Sequence, residues 1–320
     1  MTKSKNSISR RDFIKNSVVG TMALASASVT KRSHAQTDKP SLRMGGPVFE
    51  KYESPEKWVQ ILKNLGYRAA YCPVGTEASE DEIKAYAKAA EDADITIAEV
   101  GTWSNPISPN DDERKQALKK CRDGLVLADK IGAKCCVNVS GSRNPKRWAG
   151  PHEKNLTEET FDMIVETTQK LIDDVKPTRT HFTLEAMPWS YPDSPDSYVR
   201  LLKAVDRKQF AVHLDPMNFI SSPQLYFNNA KLIRDCFAKL GPYIKSCHAK
   251  DIILKDDIYT PHLDEIRAGL GALDYTTFLK ELSKFPDVPL MLEHLPDAEQ
   301  YKLAADHIRS VAEKLGLAFT

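Results

Sequence analysis

The sequence predicts a closed (β/α)8 barrel. Short apolar runs alternate with amphipathic segments along most of the chain, and eight such pairs can be counted. The apolar runs lack polar alternation, which is typical of parallel strands buried on both faces. Eight strand–helix pairs in a chain of 320 residues favour a barrel over smaller α/β folds. The rival, an open doubly wound sheet, would be indicated by a glycine-rich phosphate loop after the first strand, and the sequence has none there.

The strands are predicted from short apolar runs, at residues 41–44, 69–74, 95–100, 135–139, 182–186, 210–214, 244–247 and 288–292. The helices are predicted from apolar residues at helical spacing, at residues 55–65, 79–94, 111–131, 157–175, 197–205, 229–240, 274–285 and 298–315. Local signals support these bounds. Ser79 and Glu82 have the spacing of a helix-capping box, and Gly66 and Gly132 follow helices as stop signals.

Residues 1–35 are predicted to be a twin-arginine signal peptide rather than part of the fold. Arg10 and Arg11 precede Phe13, a moderately apolar stretch follows, and small residues before Gln36 suit cleavage. The apolar stretch of about a dozen residues is too short to span a bilayer. We therefore expect the chain to engage the twin-arginine export machinery, to reach the periplasm, and to keep no membrane span after cleavage.

The remaining chain is predicted to be a linker at residues 36–40 and one barrel domain at residues 41–320. Loss of seven Lys/Arg and one Asp with the signal leaves 38 basic and 43 acidic residues, a net charge of −5. Nucleic acid is therefore not an expected partner, because its recognition calls for a basic face. The six cysteines are scattered without a CxxC pair, which argues against a disulfide scaffold.

Four consecutive predicted strands end on side chains that can bind a metal ion, namely Glu185, Asp215, His248 and Glu293. Functional groups of such barrels lie at the carboxyl ends of the strands, and neighbouring strands are about 4.8 Å apart. Each residue alone is equally well explained as a solvated strand end or a core group. Together they predict a site of three carboxylates and one imidazole, which suits Mn²⁺ or Mg²⁺.

On these residues the chain resembles the xylose-isomerase-like superfamily of TIM barrels, which includes sugar isomerases and the ketose 3-epimerases. The motifs that carry the resemblance are Leu184-Glu185, Leu214-Asp215-Pro216, His248-Ala249-Lys250-Asp251, Gly269-Leu270-Gly271-Ala272-Leu273-Asp274-Tyr275 and Leu292-Glu293. It implies that the four strand-end residues bind one divalent metal, Mn²⁺ first, with Mg²⁺, Co²⁺ or Zn²⁺ as alternatives. It also implies that Glu185 and Glu293 are the acid/base pair of an isomerase or epimerase that converts a ketose or keto-sugar through an enediolate.

One residue departs from the pattern of many relatives. They have a histidine three residues after the aspartate, where this chain has Asn218. Asparagine can hydrogen-bond a hydroxyl but cannot titrate. Two alternatives therefore stay open: a 3-oxo-glycoside lyase or hydrolase that begins with the same proton abstraction, and a non-catalytic carbohydrate-binding barrel. An abasic-site endonuclease would need a larger, histidine-rich zinc site and a basic face, and the sequence offers neither.

Polar and aromatic residues near the predicted strand ends are candidate contacts to a carbohydrate, with ordinary loop packing as the alternative for each. They are Trp103, Asn105, Asn138, Arg143, Trp189, Asn218 and Arg267. His213 points to the same side of its strand as Asp215 and is either a core residue or a partner behind the ligands. Asp251 is a second candidate behind the ligands. The identity of the sugar and the question of a homo-oligomer stay open.

Overall fold

A computed structural model describes residues 41–319, so the predicted signal peptide and the whole of the predicted linker lie outside the described residues. The strands within this part are β1 (Ser41–Leu42), β2 (Met44–Gly46), β3 (Ala69–Tyr71), β4 (Thr96–Gly101), β5 (Cys135–Val139), β6 (His181–Glu185), β7 (Phe210–Leu214), β8 (Ile244–Ala249), β9 (Asp251–Leu254), β10 (Leu263–Ile266), β11 (Leu290–Leu292) and β12 (Ala318–Phe319). The helices are α1 (Pro55–Asn64), α2 (Glu80–Asp92), α3 (Asp111–Ile131), α4 (Glu158–Val175), α5 (Pro195–Val205), α6 (Pro223–Phe227), α7 (Asn229–Leu240), α8 (Tyr275–Leu282) and α9 (Ala298–Lys314).

Eight parallel strands close into a barrel in the order β11-β2-β3-β4-β5-β6-β7-β8. The predicted (β/α)8 fold is therefore confirmed. Every residue of β5 and β7 is buried, which explains why these strands have no polar alternation in the sequence. Closure of the sheet makes β6, β7, β8 and β11 consecutive neighbours, so their carboxyl ends meet at one sector of the barrel mouth.

The helices cover the barrel through amphipathic faces, and all of the helices named above except α7 begin at a side-chain cap. In α1, Trp58, Ile61 and Leu62 are buried, while the Ser54 hydroxyl accepts a hydrogen bond from the backbone N–H of Lys57. The core lies mainly between the sheet and this ring of helices. All six cysteines are free, and five of them are buried. No helix in residues 41–319 is both long and apolar enough to cross a membrane.

Three features differ from the sequence-based prediction. The first predicted strand is divided, because β1 pairs with β12 while β2 belongs to the barrel. The loop predicted after β8 contains an antiparallel hairpin of β9 and β10. The short helix α6 precedes α7. These elements are short and depend on tertiary pairing, so they give weak periodicity in the sequence.

Small residues fill the barrel interior next to β2. A Cβ atom on Gly45 would lie 2.2 Å from the carbonyl oxygen of Ala69 and 2.9 Å from Cε of Met291. The first neighbour is backbone of the adjacent barrel strand and cannot move without disturbing the sheet. Glycine is therefore required at this position by a close approach of two strands.

We expect Gly45→Ala to lower the free energy of unfolding by about 1–3 kcal/mol, because the added methyl group overpacks the interior. Urea denaturation followed by circular dichroism measures this change. Gly75→Ala is the matched control, since a Cβ atom there meets no atom within 4 Å. Equal stability of the two variants would contradict this packing.

Candidate metal centre

The four predicted ligands lie together at the carboxyl ends of neighbouring strands. Glu185 is the last residue of β6, Asp215 directly follows β7, His248 lies in β8, and Glu293 directly follows β11. Each offers a ligand atom, and these atoms all lie within 4.8 Å of one another. All four side chains are buried. Four neighbouring strands thus build one compact cluster of three carboxylates and one imidazole.

Two oxygen atoms of this cluster support the binding of a cation. Asp215 Oδ2 and Glu293 Oε1 are buried and have no hydrogen-bond partner. Leaving buried carboxylate oxygens unsatisfied costs free energy. A hard divalent ion prefers such oxygen atoms and would satisfy both. The residues present therefore fit a divalent metal ion, with Glu185, Asp215, His248 and Glu293 as its ligands.

A lysine ammonium group lies among the same carboxylates. Lys250 Nζ is 2.5 Å from Glu293 Oε1, 3.1 Å from Asp215 Oδ2 and 3.5 Å from Glu185 Oε1. Burial opposes its charge, but the surrounding carboxylates outweigh burial and raise the pKa of Lys250 well above its usual value. Its contacts with the two orphaned oxygens lack hydrogen-bond geometry. Sequence reasoning missed Lys250, although it lies two residues after His248 and so on the same side of the chain.

Glu99 contacts His248, a proposed ligand, on the side of the ring that faces away from the cluster. Its carboxylate lies 3.0 Å from His248 Nε2 and accepts a hydrogen bond of 2.9 Å from the Ser246 hydroxyl. His248 Nδ1 faces the cluster, 2.8 Å from Glu293 Oε1 and 3.3 Å from Glu185 Oε1. Carboxylates placed behind a histidine ligand in this way fix the ring orientation and raise its basicity. Sequence reasoning missed Glu99, and the signal was a lone carboxylate inside the apolar run of β4.

Neighbouring charges determine the ionisation of Glu99 and His248. Burial alone would raise the pKa of Glu99, but the charge of His248 and its hydrogen bond to Glu99 outweigh burial and lower that pKa. Burial opposes protonation of His248, yet Glu293, Glu99 and Glu185 raise the pKa of its imidazole well above the usual value. Glu99 is thus a carboxylate and His248 is protonated in the protein alone, so His248 would have to lose its proton to bind a metal ion.

His213 supports His248 by packing. It is fully buried, and its ring lies edge-on to the His248 ring with centroids 4.0 Å apart. Neither ring nitrogen has a hydrogen-bond partner, although Nδ1 is 3.4 Å from Glu99 Oε2. Burial lowers the pKa of His213 to about 4, so its imidazole is neutral at pH 7. The structure thus places His213 beneath the cluster as a neighbour of one proposed ligand.

A cavity of about 630 Å³ opens above the cluster. Glu185, Asn218 and Lys250 are among the polar residues that line it next to the cluster, and Glu265 lines it nearer the mouth. Its outer part is mainly apolar and aromatic, and is lined by Trp148, Ala149, Pro188, Trp189, Ile220, Pro261 and Leu263. This volume falls within the range of small-molecule sites.

The sequence profile of the xylose isomerase-like TIM barrel family matches residues 59–311. The chain belongs to this family. No curated protein matches its sequence. Among solved structures, it is similar to D-psicose 3-epimerase with D-tagatose from Clostridium cellulolyticum H10, with 15% identity and a TM-score of 0.61 over 87% of this chain and 100% of that one.

Two further solved structures of this fold show how widely it is used. The 3-keto-D-glucoside 4-epimerase from E. coli has 14% identity and a TM-score of 0.58, over 84% of this chain and 100% of that one. Endonuclease IV from Thermus thermophilus has 13% identity and a TM-score of 0.65, over 85% of this chain and 99% of that one. At such identities the similarity establishes the fold and leaves the reaction to be argued from the site.

Three of the predicted carbohydrate contacts line the cavity of this xylose isomerase-like barrel: Trp103, Trp189 and Asn218. The Trp103 ring centroid lies 6.3 Å from that of His248. The Trp189 indole N–H donates to the carbonyl of Ala149 at 2.8 Å, which joins the loops after β5 and β6. The Asn218 side-chain amide donates to Glu185 Oε1 at 2.8 Å, so this residue orients a proposed ligand.

The other predicted contacts are placed elsewhere. Asn105 is buried and binds the backbone of Ser142, joining the loops after β4 and β5. Asn138 faces α3, where its amide contacts the Cys121 thiol at 3.2 Å. In an alternating strand, Asn138 points away from the interior because its neighbours Val137 and Val139 point inward.

Two arginines and one aspartate among the predicted site residues form hydrogen bonds with loop backbone. The guanidinium of Arg143 donates to the carbonyl of Ile107 at 3.0 Å, and that of Arg267 donates to the carbonyl of Ala268 at 3.3 Å. Neither lines the cavity. Asp251, predicted to lie behind the ligands, instead accepts hydrogen bonds from the loop amides of Gly269, Gly271 and Leu273 and from that of Ile252. Its carboxylate therefore fixes the loop before α8.

The three carboxylates of the cluster differ in ionisation. Burial, together with the charges of Glu185 and Glu293, raises the pKa of Asp215 to about 6 although Lys250 opposes this shift. For Glu293, burial acts in the same direction, but the charge of His248 outweighs it and lowers the pKa to about 2. Burial would likewise raise the pKa of Glu185, but the charges of Lys250 and His248 outweigh it and lower that pKa. Both proposed acid/base residues are thus carboxylates in the protein alone.

We expect Glu99→Gln to weaken divalent-metal binding by about 10–100-fold, because the amide no longer holds His248 with a negative charge. Isothermal titration calorimetry with MnCl₂ measures the dissociation constant. Glu91→Gln on the exposed side of α2 is the matched control. An unchanged dissociation constant in a folded Glu99→Gln variant would show that this carboxylate does not support the metal ligand.

Proposed function

We propose that this protein is a divalent-metal-dependent sugar isomerase or epimerase that acts on a ketose or keto-sugar through an enediolate. The observation that carries the proposal is the placement of Glu185 and Glu293 within one buried cluster of residues that could hold a metal ion, beneath a cavity. Two carboxylates at one substrate carbon can remove a proton and return it, either to the same carbon or to its neighbour. The D-psicose and 3-keto-D-glucoside epimerases with this fold support the substrate class.

Each residue of the site has a separate role in the proposed reaction. A bound divalent cation would supply charge stabilisation to the substrate oxygens as the proton leaves. Glu185 is oriented by Asn218, whose amide leaves the other carboxylate oxygen available to act as a base. In an isomerisation the protonated Glu185 would return the same proton to the neighbouring carbon. In an epimerisation Glu293, across the cluster, would deliver a proton taken up from water, and Glu185 would release its own proton to water. Trp103 lines the cavity and would cover one side of a substrate bound there.

A nuclease function is not favoured by this site. Endonuclease IV has the same fold, but the cluster here contains three carboxylates and a single histidine. Glu265 adds another carboxylate to the cavity lining. Carboxylates concentrated in and below the cavity repel the phosphate groups on which nucleic-acid binding depends.

The proposal is tested by incubating the Mn²⁺-loaded protein with a panel of ketoses and 3-keto-glycosides in D₂O and recording NMR spectra. Deuterium is expected at the carbon next to the carbonyl in at least one substrate, together with the isomer or epimer. Glu185→Gln and Glu293→Gln are expected to lower kcat by about 10²–10⁴-fold at measured metal saturation. Binding without exchange or turnover in the wild-type protein would instead indicate a carbohydrate-binding barrel.

The second candidate function is a 3-oxo-glycoside lyase or hydrolase. The outer cavity favours it, because Trp148 and Trp189 are large apolar side chains that remain 44% and 36% exposed. Exposed aromatic residues at the rim of a site suit a second ring, such as an aglycone. Such a reaction would begin with the same proton abstraction and continue with loss of the group on the neighbouring carbon.

An aryl 3-oxo-glycoside separates the two functions. Release of the free phenol by the Mn²⁺-loaded protein is expected for the lyase or hydrolase and not for an epimerase. In that case Trp189→Ala is expected to raise KM for the aryl substrate by about two- to tenfold, because stacking energy of about 0.5–1.5 kcal/mol is lost. Phe227→Ala, an exposed aromatic residue that does not line the cavity, is the control. Quantitative recovery of the intact glycoside would exclude this candidate.

A further inference from the structure

The backbone around Lys250 is anchored, so any displacement of its ammonium group has to come from rotation of the side chain. The Tyr275 hydroxyl donates to the Lys250 carbonyl at 2.7 Å, and the next residue, Asp251, is fixed by four backbone amides. The backbone on both sides is therefore anchored. The four-carbon stem, in contrast, ends in an ammonium group that can rotate between acceptors.

The ammonium group and a divalent ion require the same oxygen atoms. Nζ of Lys250 lies 2.5 Å from Glu293 Oε1 and 3.1 Å from Asp215 Oδ2, the two buried oxygens without a hydrogen-bond partner. A metal ion bound by these oxygens would lie within a few ångströms of Nζ. Two cations at about 4 Å repel each other strongly in a partly buried site. Both cannot occupy this position at once.

A second acceptor lies towards the cavity. Glu265, on the β9–β10 hairpin, places Oε2 3.8 Å from Lys250 Nζ. Its carboxylate also lies 3.0 Å from His294 Nδ1, which anchors it at the mouth. Glu265 and Lys250 both line the cavity. A small outward movement would therefore exchange the inner carboxylates for Glu265 without leaving the ammonium unpaired.

We propose that Lys250 is an internal cation that neutralises the cluster in the metal-free protein and is displaced onto Glu265 when a divalent metal binds. This inference rests on the proposed metal-dependent function. Lys250 is accordingly a positioning residue that sets the affinity of the metal. It preserves the arrangement of Glu185, Asp215 and Glu293 before the metal arrives, and the metal must compete with it.

The test compares wild-type protein with Lys250→Met in titrations of the metal-free chains with MnCl₂, using a fluorescent chelator as competitor. The dissociation constant of Lys250→Met is expected to be lower by about tenfold or more, because no cation has to be displaced. Its metal-free Tm is expected to be lower than that of the wild type, with a larger increase on saturation with Mn²⁺. Lys245→Met, which removes a lysine from the same strand β8 outside the cluster, is the matched control.

Glu265→Gln extends the test as a double-mutant cycle. It is expected to weaken Mn²⁺ binding more in the presence of Lys250 than in the Lys250→Met background, because only then is the displaced ammonium left without its acceptor. Equal or weaker Mn²⁺ binding by Lys250→Met would overturn the inference while leaving the metal centre intact. Absence of Mn²⁺ binding in every variant would overturn both the inference and the proposed metal-dependent function.

Discussion

Three carboxylates buried within 4.8 Å of one another and of an imidazole are the constraint on which the rest of this structure depends. Such a concentration of negative charge is stable only with compensating positive charge. The chain supplies part of it through Lys250 and His248, which lie directly against these carboxylates. Asp215 Oδ2 and Glu293 Oε1 nevertheless lack a hydrogen bond although both are ion-paired with Lys250, and this is the physical reason for assigning a divalent cation to this position.

The barrel arranges the surroundings of this cluster in layers. At the bottom, small residues such as Gly45 allow neighbouring strands of the barrel to pack closely. His213, Glu99 and Ser246 form a polar layer above them and hold the far side of His248. The cluster follows, and the cavity with its aromatic rim lies above it. Each layer arises because alternate residues of a strand point into the barrel. A charged residue at one of these inward-pointing positions therefore lies in the interior.

The barrel could be predicted from the sequence because buried parallel strands are continuous apolar runs. The four candidate ligands could be predicted because each of them lies at or next to the end of a strand. Glu99 escaped prediction because it lies inside β4, with Val100 and Gly101 after it. Lys250 was overlooked because lysine is usually a surface residue, and only the packing of β8 reveals its burial. Asn105 and Arg143 looked like substrate contacts, yet they bind loop backbone. Loop contacts of this kind depend on tertiary distances that no local pattern encodes.

The central claim is that one divalent ion is bound by Glu185, Asp215, His248 and Glu293. The most direct measurement is an anomalous-scattering map from crystals of the protein grown with MnCl₂. We predict a single strong peak per chain, in contact with His248 Nδ1 and with an oxygen atom of each of the three carboxylates, and with Lys250 Nζ away from it. A map with no peak at this cluster, with Lys250 still between Asp215 and Glu293, would contradict the account.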